Sequence, residues 1–107
     1  MTDQITFQNR DGRLTVFLSG EIDHHAAAFL RMQIDHQIGL NRPELLCLDF
    51  RRVGLMDSSG IGLILGRYRK MGGSGGSVEL SGLSPRLKTT VKLAGLPADI
   101  RIMEAEE

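Results

Sequence analysis

The chain has 107 residues, 41% of them apolar, with thirteen acidic and thirteen basic side chains and one cysteine. That length sets one domain, spanning 1–107, with a single core. The balanced charge gives no basic face for nucleic acid or an anionic membrane, and the lone cysteine excludes an intrachain disulfide. The N-terminal Met1-Thr2-Asp3-Gln4 lacks the basic-then-apolar pattern of a signal peptide, and no apolar run approaches the ~18 residues of a membrane span, so a soluble cytoplasmic protein is expected.

Residues 4–8 and 14–19 are β-branched or aromatic-rich runs separated by Asp11-Gly12, a hairpin signal, and predict two antiparallel strands. Gly20-Glu21-Ile22-Asp23 reads as the next turn. Asp23 is a good N-cap for a helix from His24 to about Ile38, with Ala27, Leu30, Ile34 and Ile38 as its apolar stripe and Gly39 as its stop. His24, His25 and His36 raise the question of a metal. On a helix, positions 25 and 36 share a face but stand about 16 Å apart at ~1.5 Å per residue, so one ion cannot bridge them, and no metal or cofactor is expected.

After Asn41-Arg42-Pro43, residues 45–50 predict a central strand, apolar without alternation at first as if both faces were covered, with Cys47 in the core. Residues 51–55 lead to Met56-Asp57-Ser58-Ser59-Gly60-Ile61-Gly62, a strand-to-helix turn. Ile61, Ile64, Leu65 and Tyr68 then recur at helical spacing, placing Ser58 or Ser59 to cap the helix, with Gly60 and Gly62 leaving the corner open to another molecule. Arg67, Arg69 and Lys70 read as cations offsetting the negative helix end. A flexible Gly72–Ser77 connector, a short strand at 78–80, a helix opened by Ser84-Pro85 and stopped by Gly95 (apolar side Leu87, Val91, Leu93 and Ala94), a last strand at 100–103 and a solvated tail follow. The alternation predicts an α/β fold. Its sheet is a single mixed, mostly parallel layer of four to five strands with an antiparallel N-terminal hairpin and three main helices.

Several chemistries compete at the 56–62 turn. The Gly60-x-Gly62-x-x-x-Gly66 spacing misses the dinucleotide fingerprint, and no second nucleotide-binding half fits the chain. A serine hydrolase would need an oriented base, available only if the first helix, with His24 and His25, starts near this turn. An aspartyl-phosphate site at Asp57 would want an acidic pair that Asp11 and Glu21 do not supply. What remains is an exposed serine that a partner modifies, or one that merely caps a helix.

Met56–Tyr68 and Gly20-Glu21-Ile22-Asp23-His24-His25 together resemble the anti-sigma-factor antagonists of the STAS domain family, the second segment its sporulation branch; the likeness runs over nearly the whole chain. The resemblance implies a non-enzymatic partner-switching protein. Unphosphorylated, it would bind an anti-sigma factor that is also an ATP-dependent serine kinase and free the sigma factor; phosphorylation of Ser58 would end binding, and a serine phosphatase would restore it. Candidate partner contacts are Asp23, Asp57, Ser59, Gly60, Ile61 and Gly62. Little chain follows Met103, so the C-terminal helix of many relatives is expected to be short or absent. The alternative is a STAS-type scaffold or ligand sensor that is never phosphorylated.

Overall fold

A computed structural model of the chain describes residues 4–104. Its elements are β1 (Ile5–Arg10), β2 (Arg13–Ile22), α1 (His24–Asn41), β3 (Leu45–Met56), α2 (Ser58–Gly72), β4 (Ser77–Ser81), α3 (Pro85–Ala94) and β5 (Arg101–Met103). The strands lie in the order β1-β2-β3-β4-β5, β1 antiparallel to β2 and every later pair parallel. Asp11 and Gly12 turn the hairpin with φ of 53° and 79°, the left-handed pair that a two-residue connection matching strand twist requires.

Each parallel step moves one strand in the same direction, so right-handed crossovers lay the connecting helices over one face of the sheet. That face holds the core. Leu14 and Val16 of β2 pair with Leu46 and Leu48 of β3, which pair with Val78 and Leu80 of β4, and all six are fully or almost fully buried. Leu30, Ile34 and Ile38 of α1, Ile64 and Met71 of α2, and Leu87 and Val91 of α3 close over them. The other face is polar. Cys47 is buried there as expected, but not by a second helix layer: an Arg13–Glu79 ion pair at 2.8 Å reaches across β3. Burial raises the Cys47 thiol pKa, so it stays protonated and inert.

Three boundaries and the apolar face of one helix differ from the sequence reading. Gly20–Ile22 is not a turn: β2 continues through it with register shifts at Phe17/Ser19 and Gly20/Glu21, Gly20 taking φ 82° at the irregularity. Residues 51–56 are strand rather than connector, because they pair with that extension of β2, Gly20 to Val53 and Ile22 to Met56. Gly39 does not stop α1. The helix runs to Asn41 and ends where Arg42 takes φ 45° and donates its N–H to the Ile38 carbonyl, with Pro43 unable to continue it. Leu93 and Ala94 lie outside the apolar face of α3; Leu93 is 83% exposed. The caps Ser84, accepting from the Leu87 N–H at 3.2 Å, and Gly95, at φ 70°, stand as read. Of the tail, residues 105–107 lie outside the described residues.

Candidate functional site

Among the described residues the β1–β2 ladder reaches Leu18, with one further backbone bond from the Ser19 N–H to the Gln4 carbonyl, and that of β4 with β3 reaches Asp49, yet β2 and β3 continue as partners to Ile22 and Met56. This two-stranded extension delivers two helix starts side by side, His24 of α1 and Ser58 of α2, and the Asp57 N–H donates to the Ile22 carbonyl at 3.2 Å to tie them. Both starts are built alike. Asp23 is the N-cap of α1, its Oδ1 accepting from the Ala26 N–H at 2.9 Å, and that bond is the main cause holding its carboxyl below the usual range, with burial opposing and His25 assisting. Asp57 is the N-cap of α2, its Oδ1 accepting from the Ser59 N–H at 2.8 Å and its carbonyl from the Gly60 N–H at 2.9 Å.

The cap is therefore Asp57, not Ser58 or Ser59 as the sequence reading had it. With three cap-competent residues in a row, the tether of Asp57 to β2 fixes which one holds the extended backbone a cap needs. Ser58 falls at the first helical position, exposed and relieved of the capping role.

The glycines divide. Gly62 is exposed, with open space where a Cβ would stand. Gly60 is buried, and a Cβ there would collide with the Met56 side chain and touch Ile22, so its smallness serves packing rather than openness. The core side of α2 is correspondingly rotated from the expected stripe: Gly60, Leu63, Ile64, Arg67 and Met71 are buried. Ile61, Leu65 and Tyr68 lie about a quarter-turn round at ~100° per residue and are partly buried. Tyr68 donates to the Asp99 carboxylate (2.7 and 2.9 Å), fastening the segment before β5; that bond raises the phenol pKa. Arg69 and Lys70 do sit in the last turn of α2, but Arg67 does not neutralise that helix end: it is buried and lies 2.8 Å from Asp35 of α1.

Two concavities flank the paired starts. One, of about 300 Å³, lies between the turns and includes Asp23, Asp57 and the 44%-exposed Leu55. The other, of about 380 Å³, separates α1 from α2 and brings His24 and Ser59 to a common wall. Among the described residues, no three His, Cys, Asp or Glu side chains converge with metal-ligand geometry, and no helix is long and apolar enough to cross a membrane.

Residues 4–107 match the family model of the STAS domain. The chain belongs to that family. This STAS domain is 38% identical over 96 residues (90% of this chain, 82% of the relative) to the anti-sigma F factor antagonist of Paenibacillus polymyxa. It is 30% identical over 86 residues (80% of this chain, 84% of the relative) to the intermembrane phospholipid transport system binding protein MlaB of Escherichia coli. Its fold matches the anti-sigma-factor antagonist SpoIIAA in the unphosphorylated form (TM-score 0.76, 28% identity, 95% of this chain and 89% of that one). The phosphorylated form, from Bacillus, matches equally (TM-score 0.75, 31% identity, 96% and 92%). The protein thus groups with the anti-sigma-factor antagonists, which are non-enzymatic regulators.

The STAS fold gathers Asp23, Asp57, Ser58, Ser59, Ile61 and Gly62 of the sequence-derived set at one end of the sheet and turns Gly60 inward. Leu55, Arg31 and Arg67 escaped that set. Leu55 was read as connector, and the signal for Arg67 was its place on the line Gly60, Ile64, Arg67, Met71 at helical spacing.

Proposed function

We propose that this protein is an anti-sigma-factor antagonist controlled by phosphorylation of Ser58. In its plain form it binds an anti-sigma factor that is also a serine kinase and brings ATP, releasing a sigma factor, in a sporulation-type circuit. The phosphorylated form lets go, and a serine phosphatase resets it. One observation carries the reading: Ser58 is an exposed residue at the first position of a helix whose cap is already supplied by Asp57. SpoIIAA, described in phosphorylated and unphosphorylated forms on this same fold, supports it.

The physics separates docking from folding. Phosphate brings −1.5 to −2 charges. Within the domain the α2 N-terminus favours that charge by roughly 0.3–2 kcal/mol, while neighbouring Asp57 opposes it by a comparable amount, about 1.4 kcal/mol per charge at ~6 Å and an effective dielectric of ~40. The fold is left nearly as stable. In a closed interface an unpaired dianion costs several kcal/mol, and a loss of 3–4 kcal/mol weakens binding roughly 150- to 1,000-fold. Asp23, Asp57, Ser59, Ile61 and Gly62 would surround the phosphate at the docking face, with Gly60 acting from beneath.

The test is incubation with the host's anti-sigma kinase and ATP, followed by intact mass, site mapping and partner affinity. One phosphate on Ser58 and lost affinity are expected. Phosphate on Ser59 in the Ser58→Ala protein, or a phosphoprotein that binds as tightly as the plain one, rejects the assignment. The likeness to MlaB, a binding protein of a phospholipid transport system, leaves room for a second reading of this chain, a STAS module that docks without being phosphorylated; unmodified mass together with tight partner binding would select it.

A further inference from the structure

The cleft between α1 and α2 holds an unbalanced charge. Arg67 is only 6% exposed, yet it is a guanidinium with five donors and no acceptor. Its one carboxylate neighbour, Asp35, stands with Oδ1 2.8 Å from Nε, but out of line with the N–H, so that Nε and Oδ1 both lack a hydrogen-bond partner among the described residues. Nη1 lacks one too. Asp35 lies partly at the surface, its side chain 31% exposed, which weakens what it returns to the buried charge. Arg31, one turn before Asp35 on α1, lines the same cleft and adds a second positive charge. Two arginines thus face one carboxylate. Burial holds the Arg67 pKa below its ordinary value, Asp35 opposes that and Arg31 adds to it.

The space beside these cations is already formed. It measures about 380 Å³, near the lower end of small-molecule sites, and small residues keep it open: Ala27 on one wall, Gly62 and Gly66 on the other. His24 and Ser59 stand at the end near the helix starts, and the arginines lie some 11 Å further along, at ~1.5 Å per residue. The walls are therefore largely apolar, and the far end carries two guanidinium groups against the single Asp35 carboxylate.

We propose that this cleft binds a small organic anion, a carboxylate or phosphate ester on a short apolar body. Arg67 and Arg31 take the anionic head, and the Ala27, Gly62 and Gly66 walls take the body. A planar guanidinium fork suits either head, since both present paired oxygens. The site stands independently of Ser58 phosphorylation.

The experiment is a titration of the full-length protein, followed by backbone amide shifts and melting temperature, with hexanoate, hexyl phosphate, inorganic phosphate and hexylamine as probes. Saturable shifts centred on Ala27, Gly62 and Gly66 with hexanoate, hexyl phosphate or both are expected, and which head binds more tightly identifies the natural head group. Arg31→Gln, an exposed position, should melt like wild type and weaken the preferred anion about tenfold, the loss of one charge-assisted bond. Arg67→Gln should abolish the shifts, and the Arg31→Gln result decides the matter if that variant does not fold. Three results overturn the proposal. One is the absence of saturable shifts from either organic anion up to about 20 mM, beyond which affinity is too weak for a site. The others are equal affinity in Arg31→Gln, and inorganic phosphate or hexylamine binding as well as the organic anions.

Discussion

The two helix starts at the end of the β2–β3 pair share a plan and differ in what they show to solvent. Each is capped by an aspartate, Asp23 or Asp57, and each follows directly on one of two paired strands. At α1 the residues after the cap are His24 and His25, whose rings meet edge to face with centroids 6.1 Å apart. At α2 they are Ser58 and Ser59, followed by an inward glycine and, at Gly62, an open one. The same kind of cap, closed on the Ala26 N–H at one start and on the Ser59 N–H at the other, carries two imidazole rings at α1 and an exposed hydroxyl near an open glycine at α2. Capping secures the helix, and the side chain one residue later is free to do something else.

The largest effect expected is on docking. Ser58→Asp should cut anti-sigma affinity by two orders of magnitude or more while melting within a few degrees of wild type, measured by calorimetric titration and thermal unfolding. His24→Asp, the same change at the matching position of α1, should cost less than about tenfold, because a charge at the rim of an interface is only weakly desolvated. Equal damage from both would erase the distinction between the two ends.

Next in size is the division between the glycines. Gly60→Val drives a side chain into Met56 and should cost about 1–3 kcal/mol, lowering the melting point by roughly 5–20 °C. Gly62→Val meets nothing inside the domain, so its melting point should hold while partner affinity falls. A destabilised Gly62→Val would show that the flat surface is part of the fold and not of the interface.

A smaller pair of changes tests the shared plan. Asp23→Ala and Asp57→Ala should each lower the melting point by several degrees and the asparagine variants should restore it, as asparagine caps equally well. Restored stability without restored binding in Asp23→Asn would mark its charge as a partner contact. The least effect is the acid dependence of that cap. The folded pKa of Asp23 is lowered from 3.8, so its contribution is present above the unfolded pKa and is lost as pH falls through the folded one. The gap in melting point between wild type and Asp23→Ala, full at neutral pH, should therefore shrink below about pH 4.

What the residues determined without any tertiary information is what short-range physics controls. The order of strands and helices, the Asp11-Gly12 hairpin, the Asp23 and Ser84 caps and the Gly95 stop all depend on groups within a few positions of one another. The Asp-Ser-Ser-Gly motif likewise declared its own strand-to-helix turn. Only the folded chain decided what depends on distant partners. Residues 20–22 and 51–56 became strand because each found the other, and Asp57 won the cap because Ile22 held its N–H. The face of α2 turned inward with Gly60 against Met56, which carried Arg67 into the interior and set it beside Asp35, thirty-two positions away. No local pattern announces such a meeting, since its energy comes from burial and charge shared between two helices and not from either one alone.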